Sequence, residues 1–458
     1  MRASSSSGDR IHAPLEKTAR TLAAPFRDFV ATLSASGWVL LGATVLAVVL
    51  ANSPIRTAYF QFLHLEFGLS LANHRFAMSL QHWMNDGLMA LFFFLLGLEL
   101  KRELLVGQLS DLRQAASVFC AALGGMAIPA LVFSQLGSTD EILDGWAIPM
   151  ATDTAFALVI LVMLGDRIPA SARAFLVGLA IVDDLGAILV IAFAYTTELD
   201  TAMLLPVAIT FAVLLILNQT GVRSGPMYLL VGVVLWVLFT QMGLHGTLTG
   251  VVVALAAPVR PVRTRRTFAK RLKQKAERFD DEQDGQTDNI TEQPIQQEIA
   301  RDVVRVAEEV RAPLNRWETE LQKPVTFVIM PLFAFMNAGI NLSGDAIKMA
   351  WASELSAAIF VGLLVGKPVG ILLGVWLGRV SGLVTLPDGL SWRHIIGIGL
   401  LGGIGFTMSI FIATLSVGDN ADLLEIAKQS VIAASLCAGV LGYAWLRWAC
   451  PASEQYDR

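Results

Sequence analysis

LVGLAIVDDLGAILVI, residues 176–191, is apolar throughout except for two adjacent carboxylates, Asp183 and Asp184. With its flanks the stretch is long enough to cross a bilayer as a helix. A charged side chain at bilayer depth costs about 2.5–3.5 kcal/mol even on the lenient insertion scale. Helix neighbours diverge by roughly 100° around the axis, so one environment cannot satisfy both acids. A buried carboxylate can hold a proton or a hard cation, but not both comfortably. That exclusivity is the chemistry of cation/proton exchange. The bland alternative is a pair satisfied by interhelical hydrogen bonds.

Working outward, two more charges lie in apolar stretches. Asp153 sits in IPMATDTAFA, residues 148–157, where Pro149 lacks an amide donor and Thr152 and Thr154 offer hydroxyls. This reads as a broken span whose backbone ends line a cavity. Asp153 there offsets the positive ends of half-helices, or serves only as a cap. Lys367 lies in LLVGKPVG, residues 363–370. A buried ammonium needs an anion, with Asp183 and Asp153 as the candidates, and a buried lysine can also release its proton. The run GIGLLGGIGFTMS, residues 397–409, is glycine-rich enough for close helix approach or local unwinding.

The whole chain agrees with a membrane reading. Its 458 residues are 55% hydrophobic and only 16% charged, against about 25% charged in soluble proteins; the mean hydropathy is +0.60. The expected fold is an all-α integral membrane protein of about twelve transmembrane helices. They are expected at 34–51, 79–100, 113–135, 145–164, 173–195, 201–218, 226–241, 244–259, 324–341, 355–378, 393–416 and 424–447. Alternating them from a cytoplasmic N-terminus leaves only Arg56, Arg75, Lys348 and Lys428 outside. All other Lys and Arg in the connecting segments fall inside, as the positive-inside rule requires, so both termini are expected in the cytoplasm. Spans 3–5 and 10–12 each place an interrupted helix second of three, the pattern of inverted repeats with two broken crossing helices.

The expected segments are a cytoplasmic extension (1–33), spans one to eight (34–259), a hydrophilic insert (260–323), spans nine to twelve (324–449) and a cytoplasmic tail (450–458). The insert begins basic, RTRRTFAKRLKQKAERF, and this part either lies against anionic lipid or is simply solvated. An acidic polar stretch expected to be disordered follows. Then comes a helical pattern with Ile299, Val303, Val306 and Val310 on one face, ended or kinked by Pro313. No cleavable signal peptide is expected. Cys120, Cys437 and Cys450 lack metal or disulfide spacing and read as small apolar fillers. The net charge of −4 says little about partners, and no nucleic-acid partner is expected.

Three lesser groups complete the reading. Asp86 near the start of the second span belongs to a cation path or caps the helix. His245, at an outer helix end, modulates a pH response or packs by hydrogen bonding. Glu99, Lys101, Arg102 and Glu103 close the second span as an interfacial anchor or as a charged funnel mouth that attracts cations and senses pH.

Together, FFFLLGLELKREL (92–104), GWAIPMATDTAFAL (145–158), LAIVDDLGAI (179–188), LHGTLTGV (244–251), MPLFAFMNAGI (330–340), LLVGKPVGI (363–371) and GGIGFTMSIFIATL (402–415) resemble the NhaA-type bacterial sodium/proton antiporters. That family is itself a stock illustration of inverted-repeat architecture. The resemblance implies that Asp183 and Asp184 form the cation and proton site, with the transported sodium as their metal. It places Thr152 and Asp153 at the crossing of the broken helices, and has Lys367 balance the opposite dipole ends and pair with Asp183. It assigns Glu99, Arg102, Glu103 and Glu318 to a cytoplasmic pH-response region, and gives His245 influence from the outer side. It implies electrogenic exchange of sodium or lithium for protons, pH regulation, no cofactor, and a homodimer to which residues 52–78 contribute. The long insert departs from the compact family pattern. So do Thr319 and Gln322, where some relatives carry histidines.

The expectation is therefore an inner-membrane antiporter, not an enzyme. A sodium-coupled solute symporter is the alternative, but the intramembrane polar set is almost all carboxylate and threonine. An intramembrane aspartyl protease would carry a Gly-x-Gly-Asp motif, which this sequence lacks.

Overall fold

In the computed structural model, residues 36–71, 74–106, 112–195, 199–259, 265–281, 298–299, 301–304, 306–307, 312–387 and 389–450 are described. The expected N-terminal extension, the acidic part of the insert, Val310 and the end of the tail lie outside them.

The described chain is mostly helical. Among the described residues, six helices are long and apolar enough to cross a membrane: Ala115–Leu136, Ala170–Ala194, Thr201–Gln219, Gly225–Met242, Glu354–Val380 and Ala421–Ala449. Three bent pairs raise this to nine: Ser36–Ala51 with Arg56–Leu63 at 119°, Asp140–Met150 with Thr154–Met163 at 40°, and Trp392–Gly402 with Phe406–Ser416 at 45°.

The expected twelve are thus not all met by this measure, and the reasons are local. The span expected at 79–100 becomes Leu80–His82, a widened turn Trp83–Leu88, and Met89–Val106, which ends among four charges. The span expected at 244–259 shortens to Leu248–Ala256, because residues 245–247 form a turn. The span expected at 324–341 is a widened turn Val325–Ile329 followed by Met330–Asn337. The all-α expectation needs a second correction. Glu66–Leu71 and His74–Ser79 pair antiparallel, with Glu66 opposite Ser79 and Leu71 opposite His74. This hairpin occupies the segment expected to link the first two spans.

The chain divides into two compact units. The first comprises Met1–Leu65, Asp111–Ala187 and Thr326–Arg458. It is organised around the crossing of Leu112–Leu136 with Lys367–Val380. Gly362, Gly366, Gly370, Gly374 and Gly378 recur every fourth residue, so they share one helix face. A Cβ at Gly370 would sit 2.2 Å from the Gly124 carbonyl oxygen, and one at Gly374 would sit 2.0 Å from that of Cys120. Backbone therefore meets backbone, which only small residues permit. Elsewhere in this unit, Tyr59 donates its hydroxyl to the Phe335 carbonyl, fastening the elbow after Ser36–Ala51.

The second unit comprises Glu66–Ser110 and Ile188–Val325. Leu248–Ala256 packs against Met89–Val106, with Gly250 so close that a Cβ would lie 2.0 Å from the Ala90 carbonyl. Lys101 donates to the carbonyls of Leu255 and Ala257, both at 2.6 Å, and so closes the C-terminal end of that helix. Within the insert, Arg265–Asp281 is a helix, and Ile299 and Val306 are buried with Val303 half-buried, as their shared face predicts. Pro313 starts a new helix, Pro313–Pro324, where its missing amide costs nothing.

Candidate functional site

The site in the first unit is built on two interrupted helices. The first interruption falls where Pro149 predicts it. The chain tightens over Asp144–Met150, runs extended through Ala151, and resumes as a helix at Thr154. Asp153 is the capping residue: its carboxylate Oδ1 accepts the Phe156 amide at 3.3 Å. The second interruption falls in the glycine run, between Gly402 and Phe406. Gly403 is needed there because a Cβ would meet the Leu363 carbonyl oxygen at 2.5 Å.

The two interruptions are bonded to each other. The Asp153 amide donates to the Ile404 carbonyl at 2.6 Å. Asp153 Oδ2 accepts both the Thr407 amide, at 3.2 Å, and the Thr407 hydroxyl. One buried carboxylate thereby receives amides from the N-terminal turns of two half-helices, where the positive dipole ends lie. Ser409 donates to the Ile148 carbonyl at 2.7 Å, and Ser435 accepts the Phe406 amide at 3.1 Å.

The opposite, carbonyl ends are met by Lys367 and Thr152. Lys367, at 0% exposure, donates Nζ to the Met150 carbonyl and lies 2.7 Å from Asp183 Oδ2. The Thr152 hydroxyl lies 2.8 Å from Asp183 Oδ2 and 3.0 Å from the Gly402 carbonyl, and its single proton can serve one of them at a time. Asp183 is 1% exposed, and its second oxygen, Oδ1, has no hydrogen-bond partner among the described residues. Asp184, also buried, follows it on the helix Ala170–Ala194.

Asp183, Asp153, Thr152 and Lys367 are thus joined by the two interruptions, with Asp184 alongside Asp183. The anion for Lys367, left open between Asp183 and Asp153 by the residues alone and given as Asp183 by the resemblance, is Asp183. Sequence reasoning missed Thr407, Ser409 and Ser435. The first two stand in the glycine-run motif, whose hydroxyls were a readable signal. Ser435 stands in an ordinary-looking span and had none.

The remaining candidates lie in the second unit. Arg102 Nε lies 3.0 Å from each carboxylate oxygen of Glu318, and another guanidinium nitrogen lies 2.8 Å from Glu103. Burial holds the Glu318 carboxyl above its ordinary value, with Arg102 pulling it the other way. Glu99 is half-buried one helical turn before Glu103. Asp86 faces His82 at 3.6 Å, and its backbone carbonyl accepts the Trp236 indole at 3.2 Å. His245 bonds the Tyr195 carbonyl at 3.0 Å.

Buried acids, one of them paired with a lysine, at the meeting of two broken membrane helices define a class: membrane transporters that handle cations or protons. Comparison with known sequences makes this particular. The chain belongs to the family described as Na+/H+ antiporter 1, whose profile matches residues 27–446. It is 42% identical to "Na(+)/H(+) antiporter NhaA 1" of Saccharophagus degradans, over 94% of this chain and 93% of that one. It is 40% identical to "Na(+)/H(+) antiporter NhaA" of Sulfurimonas denitrificans (96% and 98% covered), and 44% identical to its namesake from Oleidesulfovibrio alaskensis (95% of each).

Proposed function

We propose that this chain exchanges sodium, or lithium, for protons across the bacterial inner membrane, electrogenically and under pH control. The observation that carries the reading is the Asp183–Lys367 pair, fully enclosed and using only one carboxylate oxygen. While Lys367 holds its proton, its ammonium occupies the place beside Asp183 that a cation needs. An arriving sodium ion requires oxygen ligands, which Asp183, Asp184 and the Thr152 hydroxyl can provide together. Proton loss from Lys367 clears that charge, proton loss from the carboxylates supplies anionic ligands for the ion, and proton return expels it. Because ion and protons compete for the same atoms, neither crosses without displacing the other. Exposing the pair to one side and then the other completes alternating access. With more than one proton exchanged per cation, net charge moves.

In this reading Asp153 and Thr407 hold the two half-helix ends that would otherwise repel the cation. The broken helices belong to two inverted repeats within twelve spans. Both termini and the 260–323 insert face the cytoplasm, between membrane segments 34–259 and 324–449. Glu99, Arg102, Glu103 and Glu318 adjust activity to cytoplasmic pH, His245 adjusts it from outside, and Asp86 lies on the cation path. The hairpin segment joins two copies into a homodimer. The symporter alternative is less favoured, since the relatives are named as antiporters and the enclosed polar groups suit an ion.

The test is sodium-induced dequenching of a pH-sensitive dye in energised inside-out vesicles, with wild type beside Asp184→Asn. Sodium-dependent proton movement in wild type and none in the variant is expected. A full response from well-inserted Asp184→Asn would remove this carboxylate from the exchange.

A further inference from the structure

The helix Arg265–Asp281 plays no part in the ion site, and its charge is strongly polarised. It carries seven Lys or Arg within residues 265–278, while its three acids, Glu277, Asp280 and Asp281, fall in the last five positions. At 1.5 Å per residue it is about 26 Å long. Only eight residues separate it from the end of Leu248–Ala256, which lies in the segment expected to cross the membrane at 244–259. That tether extends at most about 28 Å, so the basic helix cannot leave the neighbourhood of the membrane face.

Its two sides differ. Phe268, Arg271 and Lys275 are half-buried, and Lys275 is paired with Asp302 of the following helical stretch. This fixes which side is turned inward. The outward side shows Ala269, Lys270, Leu272, Lys273 and Ala276, all exposed. An apolar strip flanked by lysines is the pattern of a helix that lies in a membrane interface, with its cations among anionic headgroups. The one outward acid with a described partner, Glu277, is 3.7 Å from Lys273 with both side chains well exposed, a contact worth little in water.

We infer that the outward face of Arg265–Asp281, through Lys270, Lys273 and Leu272, docks on the anionic lipid surface of the membrane that holds the protein. Each cation so placed contributes about a fivefold preference for the surface, from about 1 kcal/mol per Lys or Arg. The inference is independent of how ions move through the site, and its test does not measure exchange.

The full-length protein is placed in nanodiscs of phosphatidylcholine alone, or of three parts phosphatidylcholine to one of phosphatidylglycerol. The rate of chymotryptic cleavage after Phe268 and Leu272 is then followed. Slower cleavage in the anionic discs is expected, with the protection lost in high salt. The paired variant Lys270→Gln/Lys273→Gln, which leaves the cleavage positions intact, is expected to lose roughly 25-fold of that protection, about fivefold per lysine. Lys270→Arg/Lys273→Arg is expected to keep it. Equal cleavage in both discs would overturn the docking. Equal protection by inorganic phosphate in neutral discs would assign the lysines to a soluble anion, and overturn it too.

Discussion

Two carboxylate–cation pairs in this chain have similar chemistry and opposite settings. Asp183 and Lys367 have side chains at 0% exposure, and only one carboxylate oxygen is engaged. Glu318 and Arg102 are 14% and 31% exposed, with both oxygens held and Glu103 adding a second anion. One arginine N–H is shared by both Glu318 oxygens while another guanidinium nitrogen meets Glu103, whereas the point charge of lysine leaves one Asp183 oxygen over. The first pair is sealed from solvent and leaves one buried carboxylate oxygen unengaged. The second has both carboxylate oxygens engaged and reaches solvent.

The sharpest way to break this contrast is Lys367→Ala. It strands a buried carboxylate, and about 3–5 kcal/mol of stability is expected to go with it. Thermal unfolding in detergent reads this, and adding Asp183→Asn should recover most of the loss. An unchanged melting point in the single variant would mean that the pair is not the sealed one described. Next in size is Gly370→Val, which drives side-chain carbon into the Gly124 carbonyl and should cost at least about 1–3 kcal/mol. Fluorescence-detected size-exclusion yield would show it, and a normal yield would mean that the two helices can part.

Ser435→Ala leaves the Phe406 amide buried without its acceptor, at about 1 kcal/mol. If that bond positions Thr407 on Asp153, the sodium concentration for half-maximal exchange rises more than the maximal rate falls, and Ser435→Thr restores it. Equal loss in both parameters would reduce Ser435 to packing.

The smallest effect belongs to Glu318→Gln. A carboxyl held above its ordinary 4.5 keeps its proton in the folded state after the unfolded chain has lost it. Its contribution to stability is full below that ordinary value and is lost as pH rises through the raised one. The amide cannot titrate, so the variant's stability should decline less with rising pH, by about 1 kcal/mol or less for a pair only partly withdrawn from solvent. Parallel melting curves for wild type and variant across the acid range would refute this.

How far the sequence could be read follows from which interactions are local. Asp183–Asp184, Pro149 and the glycine run each announce themselves within a few residues, because a charge or a missing amide in an apolar stretch has few explanations. Spacing left Asp183 and Asp153 both open for Lys367, because where two helix breaks meet is not encoded locally, and only the family resemblance pointed to Asp183. Ser435 bonds an amide 29 residues away and looks like any small residue in a span. The hairpin was hidden because its strands sit where a plain connection was expected. Span counting faltered at Trp83–Leu88, where a widened turn interrupts the helix with no proline to mark it, and at Val325–Ile329, where Pro324 directly before the turn was a readable signal that went unused.

The glycine ladder from Gly362 to Gly378 has a consequence for time rather than energy. Where two backbones touch, neither water nor a rotating side chain stands between them, and local opening requires the helices to separate entirely. Amides on the inner faces of residues 120–128 and 366–374 should therefore be among the last in the first unit to exchange with deuterated solvent. Such a slow pair of segments is a fixed reference against which faster movements of the half-helices could be timed.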